Sequence, residues 1–210
     1  RVLFRSDISS VSGAVMDKIA MGDKAFGLQD MSRSELKKLQ VADIEGYFRA
    51  AQKGKLIVTY TGKANPDSLT HLLNPIVQET NRTDFTGYDY TVQQPKRPTI
   101  YLYNMPDARQ TIVGTYNVLP ALNSEEKRAQ FVIWARYFSN GGLNSVLFRE
   151  LRDLRSLVYT CGGLAYQQEF KAYQDRPIGY FTTAGTQADK ALTTLSLIDS
   201  LLSNMPIHAQ

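Results

Sequence analysis

The chain has 210 residues, of which 43% are hydrophobic and 21% charged, and these proportions are ordinary for a folded globular protein. Its 24 Lys and Arg residues against 20 Asp and Glu are scattered, so a nucleic-acid-binding face, which needs clustered basic residues, is not indicated. The single cysteine, Cys161, excludes an internal disulfide and a cysteine-based zinc site. No apolar run reaches the roughly 20 residues of a membrane-spanning helix.

The two ends of the sequence look unlike the ends of a natural protein. Residues 1–6 resemble one reading frame of a common sequencing adapter and are predicted to be a non-native artefact. Met205 to Gln210 follow a helical pattern without a closing element. We therefore expect the chain to be a fragment, truncated at both ends. Because the native N-terminus is then missing, the compartment is unknown, and a periplasmic or other non-cytoplasmic location stays open.

The first part of the chain predicts helices around one strand. Apolar residues at three- and four-residue steps predict a helix from Ile8 to Met21. Thr80 to Pro98 has the composition of a linker, so a domain boundary is placed near residue 95. Between them we expect a short helix to Leu39 capped by Ser32 or Ser34, a helix over Val41–Ala51 with Ile44, Tyr47 and Phe48 on its inner face, a buried strand over Leu56–Tyr60, and a helix from about Pro66 that carries Leu69, Leu72, Leu73, Ile76 and Val77.

The second part predicts clustered strands and clustered helices. Two strand patterns, Thr99–Asn104 and Gln110–Val118, predict a hairpin. Asn123 precedes Glu126 at capping-box spacing and is the expected N-cap of a helix that ends at Asn140-Gly141-Gly142. The remaining elements are a helix from Leu143 to Leu154, strands over Leu157–Cys161 and Gly179–Ala184, and a helix carrying Ala191 to Leu202. This order predicts an α+β fold, a largely antiparallel sheet with helices packed on one face.

The usual catalytic motifs are missing from the sequence. Histidine occurs only at His71 and His208, and neither has a Glu at zinc-motif spacing. No Gly-x-Ser-x-Gly elbow, phosphate-binding loop or dinucleotide fingerprint is found. Gly141-Gly142 indicates a helix end, because no Lys-Ser/Thr follows it. We predict no catalytic or metal-ligating residue on this chain.

One block is specific enough to suggest a family. Residues 140–159 read NGGLNSVLFRELRDLRSLVY. The block resembles Gly-Gly-Leu/Met-x-Ser-x-Leu-Phe-x-x-Leu-Arg-x-x-x-x-Leu-x-Tyr of the non-metal, substrate-binding domain of insulinase/pitrilysin-family zinc metallopeptidases. The resemblance implies an insulinase-like domain repeat, with residues 7–94 as the C-terminal part of one domain plus its linker and 95–210 as the truncated N-terminal part of the next.

The resemblance also implies roles for two side chains. It assigns Arg152 and Tyr159 to substrate binding, and it implies that zinc in the intact enzyme is bound by a domain not present here, either in cis or on a partner subunit in trans. The substrate would be a peptide, hydrolysed inside a closed chamber, and this chain alone would be inactive. Without the resemblance, Arg149, Arg152 and Arg155 at three-residue steps would indicate a solvated helix face, and Tyr159 an ordinary strand aromatic.

Two other functions remain open. The first is a catalytically inactive scaffold or partner subunit of such a peptidase, since relatives without the metal motif serve that purpose. The second is an unrelated peptide-binding α+β module.

Overall fold

The computed structural model describes residues 7–54, 58–77, 88–167 and 174–206. The chain divides into two compact units, one containing Arg1–Gln29 and Tyr90–Gln210, the other Asp30–Asp89. This division differs from the boundary predicted near residue 95, because the first helix packs with the later segment. The assignment of residues 7–94 and 95–210 to successive insulinase-like domains stays a prediction. The adapter-like residues 1–6 lie outside the described residues.

Helices form over Ile8–Met21, Val41–Gln52, Pro66–Val77 and Ala191–Ser203 as predicted, whereas the helix predicted from Leu143 to Leu154 is α-helical only over Val146–Phe148. Local capping sets three of the N-termini: Asp7 accepts from two backbone N–H groups of the helix Ile8–Met21, Ser32 caps the helix Arg33–Leu36, and Ser145 caps the helix Val146–Phe148. In the described ranges the α-helices are α1 (Ile8–Met21), α2 (Phe26–Gln29), α3 (Arg33–Leu36), α4 (Val41–Gln52), α5 (Pro66–Val77), α6 (Glu125–Ala135), α7 (Val146–Phe148) and α8 (Ala191–Ser203).

A three-stranded antiparallel sheet organises the larger unit, counting only strands in the described residues. Its strands are β1 (Thr111–Leu119), β2 (Val158–Tyr166) and β3 (Ile178–Thr186), in the order β1-β3-β2. Both outer strands pair with β3, and a bulge interrupts β2 between Val158 and Thr160. The central strand is buried along nearly its whole length, so side chains from both of its faces enter a core.

The two faces of the sheet carry separate hydrophobic clusters. Helices α6, α7 and α8 cover one face, where Tyr180 and Ala184 of β3 meet Phe138, Leu147, Leu151 and Ile198. On the other face Phe181 and Tyr166 pack against Ala20 and Met21 of α1 and against Ala25, Tyr90 and Val92. The predicted α+β class with an antiparallel sheet is confirmed. Helices α6 to α8 share one face as expected, and α1 adds a cover on the other.

In its described residues, the smaller unit has helices but no core comparable to that of the larger unit. Helix α4 forms as predicted, with the Gln40 N–H donating to Asp43 Oδ2 over 2.8 Å before its first turn. Its expected inner face, Ile44, Tyr47 and Phe48, is exposed. In the described part of Asp30–Asp89, no hydrophobic residue is buried. Of the predicted strand Leu56–Tyr60, residues 55–57 lie outside the described residues, and Val58–Tyr60 forms no strand.

The predicted hairpin is wrong. Thr99–Asn104 forms no strand, and its apolar side chains Ile100 and Leu102 are almost fully exposed. Strand β1 pairs instead with β3 over nine residues, from Thr111↔Thr186 to Leu119↔Ile178. The distant β3 offers a buried partner on both faces, whereas Thr99–Asn104 stands between Pro98 and Pro106, which have no N–H to donate to a ladder.

The predicted N-cap of α6 is off by one residue. The Ser124 hydroxyl caps the helix by accepting from the Lys127 N–H over 3.2 Å. Asn123 instead donates through Nδ2 to Asp175 Oδ1 over 3.1 Å and accepts from Lys127 Nζ over 2.9 Å. Its side chain therefore ties the start of α6 to the turn before β3.

Candidate functional site

The segment after α7 is a wide helical turn anchored in the core. Ser145 Oγ accepts from the Phe148 N–H over 3.3 Å and starts the helix. From Arg149 to Asp153 the turn has π-helical geometry, and the Leu154 N–H donates to the Arg149 carbonyl over 3.0 Å, five residues back. Val146, Leu147 and Leu151 are buried against the sheet, which fixes the orientation of the turn.

Arg152 and Tyr159, the two predicted site residues, lie together. The guanidinium carbon of Arg152 is 5.1 Å from the centre of the Tyr159 ring and 4.7 Å from the centre of the Phe148 ring. Both distances are within the ~6 Å of a cation–π contact. The sequence analysis missed the contact of Phe148 with Arg152, although its place four residues before Arg152 on a helix predicts it.

Tyr159 occupies the bulge at the start of β2. Val158 pairs with Thr186 and Thr160 with Gly185, so Tyr159 is the additional residue that the ladder does not pair. Its side chain is 70% exposed. The bulge thus turns a strand aromatic outwards beside Arg152, at the edge of the sheet.

The three arginines of the turn have different surroundings. Arg155 Nη1 donates to the Glu150 carbonyl over 2.9 Å and to Glu150 Oε2 over 2.5 Å. Arg149 is exposed, whereas Arg152 is half-buried against its two rings. On a uniform solvated helix face the three arginines would have the same surroundings, whereas on this turn their surroundings differ.

A left-handed residue connects the turn to β2. Ser156 has φ +49°, a conformation that L-residues other than Gly, Asn and Asp adopt rarely. Its N–H donates to the Arg152 carbonyl over 2.9 Å, and the Leu157 N–H donates to the Leu151 carbonyl over 2.8 Å. This reversal sends the chain directly into β2, which brings Tyr159 back to Arg152.

The cysteine beside the site is a poor nucleophile. Burial raises the pKa of the Cys161 thiol to about 11, while the Arg152 charge acts to lower it and the Asp153 charge to raise it. A thiol with this pKa is almost wholly protonated at neutral pH. Cys161 therefore acts as a small core residue behind Arg152.

A polar network joins the π-helical segment Arg136–Asn140, which follows α6, to β2 and β3. The hydroxyls of Ser139 and Tyr180 are hydrogen-bonded to each other, and Ser139 Oγ donates to Asn140 Oδ1 over 3.1 Å. Asn140 Oδ1 also accepts from the Gly163 N–H over 3.1 Å. Burial raises the pKa of Tyr180. The predicted helix end at Asn140-Gly141-Gly142 is confirmed, and Gly142 supplies the left-handed conformation, with φ +60°.

The described residues provide no zinc site. Nowhere in the described ranges do three or more His, Cys, Asp or Glu side chains group to hold a metal ion. His71 lies in α5 of the smaller unit, and His208 is outside the described residues.

Comparison with known proteins gives a match in structure alone. No protein-family model matches the sequence, and no curated protein is similar to it in sequence. The structure is similar to the crystal structure of a peptidase M16 inactive domain from Pseudomonas fluorescens, with a TM-score of 0.67 and 13% identity over 98% of this chain. The chain has the fold of that inactive domain.

The similarity has a limited extent. The match covers 49% of the Pseudomonas structure, so this chain spans about half of its length. At 13% identity the likeness supports the insulinase-like fold expected from the sequence, while zinc dependence and truncation stay predictions. Among the described residues, none of the helices combines the length and apolar character needed to cross a membrane.

Proposed function

We propose that this chain is the substrate-binding, non-metal part of an insulinase/pitrilysin-like zinc metallopeptidase that hydrolyses peptides in a closed chamber. The observation that carries the proposal is the Arg152 guanidinium held against the rings of Phe148 and Tyr159 at the exposed start of β2. A guanidinium that stacks through its planar face keeps its N–H donors pointing along its edge. Such a group suits the carbonyl oxygens of an extended peptide.

The two side chains have complementary roles in this proposal. Arg152 donates hydrogen bonds to a substrate carbonyl, and the Tyr159 phenol adds a further donor where negative charge develops during cleavage. Zinc, bound by another domain in cis or by a partner subunit in trans, supplies the activated water. The residues of this chain bind and orient the peptide.

The test is made in the intact peptidase, which includes the zinc-binding domain, by replacing Arg152 and Tyr159 one at a time. We expect Arg152→Ala and Tyr159→Phe each to lower kcat/KM by roughly ten- to a thousandfold, because each removes a donor to developing charge. The melting temperature should change little. Arg149→Ala is the matched control, since that arginine is exposed on the same turn. Full turnover by Arg152→Ala would refute the substrate-binding role.

A second candidate is an inactive scaffold or partner subunit of such a peptidase. It is favoured by the description of the Pseudomonas fluorescens structure as an inactive domain. In this case the chain would be required for assembly with an active subunit, and Arg152→Ala would leave the activity of the assembled complex unchanged. Measuring activity and assembly on the same Arg152→Ala sample separates the two functions.

Both candidates predict that this chain does not bind zinc tightly. A tight site needs three or four convergent ligands, and the sequence offers two separated histidines and one cysteine. We expect the purified chain to hold no stoichiometric zinc after dialysis. Elemental analysis that found one zinc per chain would contradict this expectation.

A further inference from the structure

The side chain of Arg155 donates hydrogen bonds back to Glu150 in the turn that carries Arg152. We propose that Arg155 is a positioning residue: its bonds to Glu150 hold the Arg149–Asp153 turn in the form that places Arg152 against Phe148 and Tyr159. The proposal rests on the substrate-binding function proposed above, because it concerns the geometry of the same arginine.

The last carbonyls of the turn show what Arg155 does. A helix end leaves carbonyl groups without partners inside the helix. Here the Arg149, Leu151 and Arg152 carbonyls accept backbone N–H groups from Leu154, Leu157 and Ser156. The Glu150 carbonyl accepts from the Arg155 side chain instead. The Leu154 N–H donates to the carbonyl five residues before it, that of Arg149. Arg155 repeats this five-residue spacing one position later, but the donor is its side chain.

The contact is better fixed than a surface ion pair. The Glu150 side chain is 11% exposed, and one nitrogen, Arg155 Nη1, donates to both its carboxylate and its carbonyl. The Arg155 side chain is 44% exposed, so solvent screens the ion pair, but loss of Arg155 would remove a partner from a carboxylate that is largely buried. The guanidinium thus binds two acceptors of one residue and fixes the backbone between residues 150 and 155.

Arg152 lies inside that closed segment. If the turn relaxed from the five-residue to the ordinary four-residue hydrogen-bond step, the residues after it would rotate by roughly 100° around the helix axis. Phe148, four residues before Arg152, would stay beside it, but the chain that leads to Tyr159 would turn away, which would separate Arg152 from the Tyr159 ring. Ser156, with its left-handed backbone, holds the other end of the segment by donating to the Arg152 carbonyl.

The test reads the position of Arg152 directly by NMR. Ring currents of Phe148 and Tyr159 should shift the side-chain protons of Arg152 upfield of those of an exposed arginine. We expect Arg155→Met, which keeps an apolar stem but removes both bonds, to reduce this upfield shift by the contribution of the Tyr159 ring. Arg149→Met is the matched control and should preserve it. The indole signal of Trp134, the single tryptophan, should stay unchanged, which shows that the core is intact.

A second variant covers the case in which Arg155→Met fails to fold. The double variant Glu150→Gln, Arg155→Met also removes the negative charge at position 150, yet it still lacks the donor to the carbonyl at that position. A folded double variant that kept the wild-type Arg152 shift would overturn the proposal. Loss of turnover in Arg152→Ala tests the substrate-binding function separately, so each proposal can fail without the other.

Discussion

The two compact units differ in what holds their elements together. In the larger unit, β3 joins strands from distant parts of the chain, and both of its faces are covered by hydrophobic clusters. In the described part of the smaller unit, helices α3 and α4 have well-formed N-terminal hydrogen bonds, but none of their hydrophobic side chains is buried. Local capping thus determines where a helix begins, whereas a core depends on contacts between distant segments, from which short helices draw most of their stability.

The largest expected difference between the units is the cost of removing an aromatic side chain. Phe138 is fully buried beneath the sheet, whereas Phe48 in α4 is 65% exposed. We expect Phe138→Ala to lower the free energy of unfolding by about 3–5 kcal/mol and Phe48→Ala to change it by less than about 0.5 kcal/mol. Urea denaturation measures both. Equal losses would show that the apolar face of α4 is covered in solution.

Adjacent glycines of β2 test how closely the larger unit is packed. A methyl group on Gly163 would overlap the hydroxyls of Tyr180 and Ser139, whereas one on Gly162, on the other face of the strand, would meet nothing within 4 Å. We expect Gly163→Ala to cost about 1–3 kcal/mol of unfolding free energy by overpacking. Gly162→Ala should be neutral or slightly stabilising. If the two melting temperatures fell equally, the close contact at Gly163 would not exist.

Two serine caps give a smaller difference. Ser124 caps α6 in the larger unit, and Ser32 caps α3 in the smaller one. Ser124→Ala should lower the stability of the main unfolding transition by about 1 kcal/mol. Ser32→Ala should leave that transition unchanged and reduce only local protection against amide hydrogen exchange. An effect of Ser32→Ala on the main transition would show that the two units unfold together.

The smallest expected effect is a change in the pKa of the Cys161 thiol, which is partly buried in the larger unit, when nearby charges at its surface are removed. The Arg152 charge stabilises the Cys161 thiolate and the Asp153 charge disfavours it. Arg152→Ala should therefore raise the pKa of Cys161, and Asp153→Asn should lower it. Alkylation rates against pH measure both changes without ambiguity, because the chain has one cysteine. Shifts of the same sign would mean that Arg152 and Asp153 do not act on the thiol through their charges.

The elements that the sequence predicted correctly depend on near neighbours. The apolar spacing from Ile8 to Met21 and the glycines after Asn140 are local signals, and both appear in the structure as expected. The hairpin failed because the partner of β1 is the distant β3, and a strand pattern does not specify its partner. The cap of α6 moved by one residue because Ser124 competes with Asn123 for the same position.

The candidate site was predictable only in part. Resemblance to a known block indicated Arg152 and Tyr159, and the fold brings the two side chains together. The different surroundings of Arg152 and Arg155 were not predictable, since both follow the same three-residue spacing. What separates them is the π-helical turn and the left-handed Ser156, which are conformations that residue spacing does not encode.

The position of β3 between β1 and β2 also determines when the sheet can form. The two outer strands do not pair with each other, and each pairs only with β3 in the described sheet. Of the three strands, β3 is the last to be synthesised. Until then two nine-residue segments have open edges that other chains can pair with. Contacts between residues far apart in sequence slow folding. The sheet therefore cannot form before β3 has been synthesised.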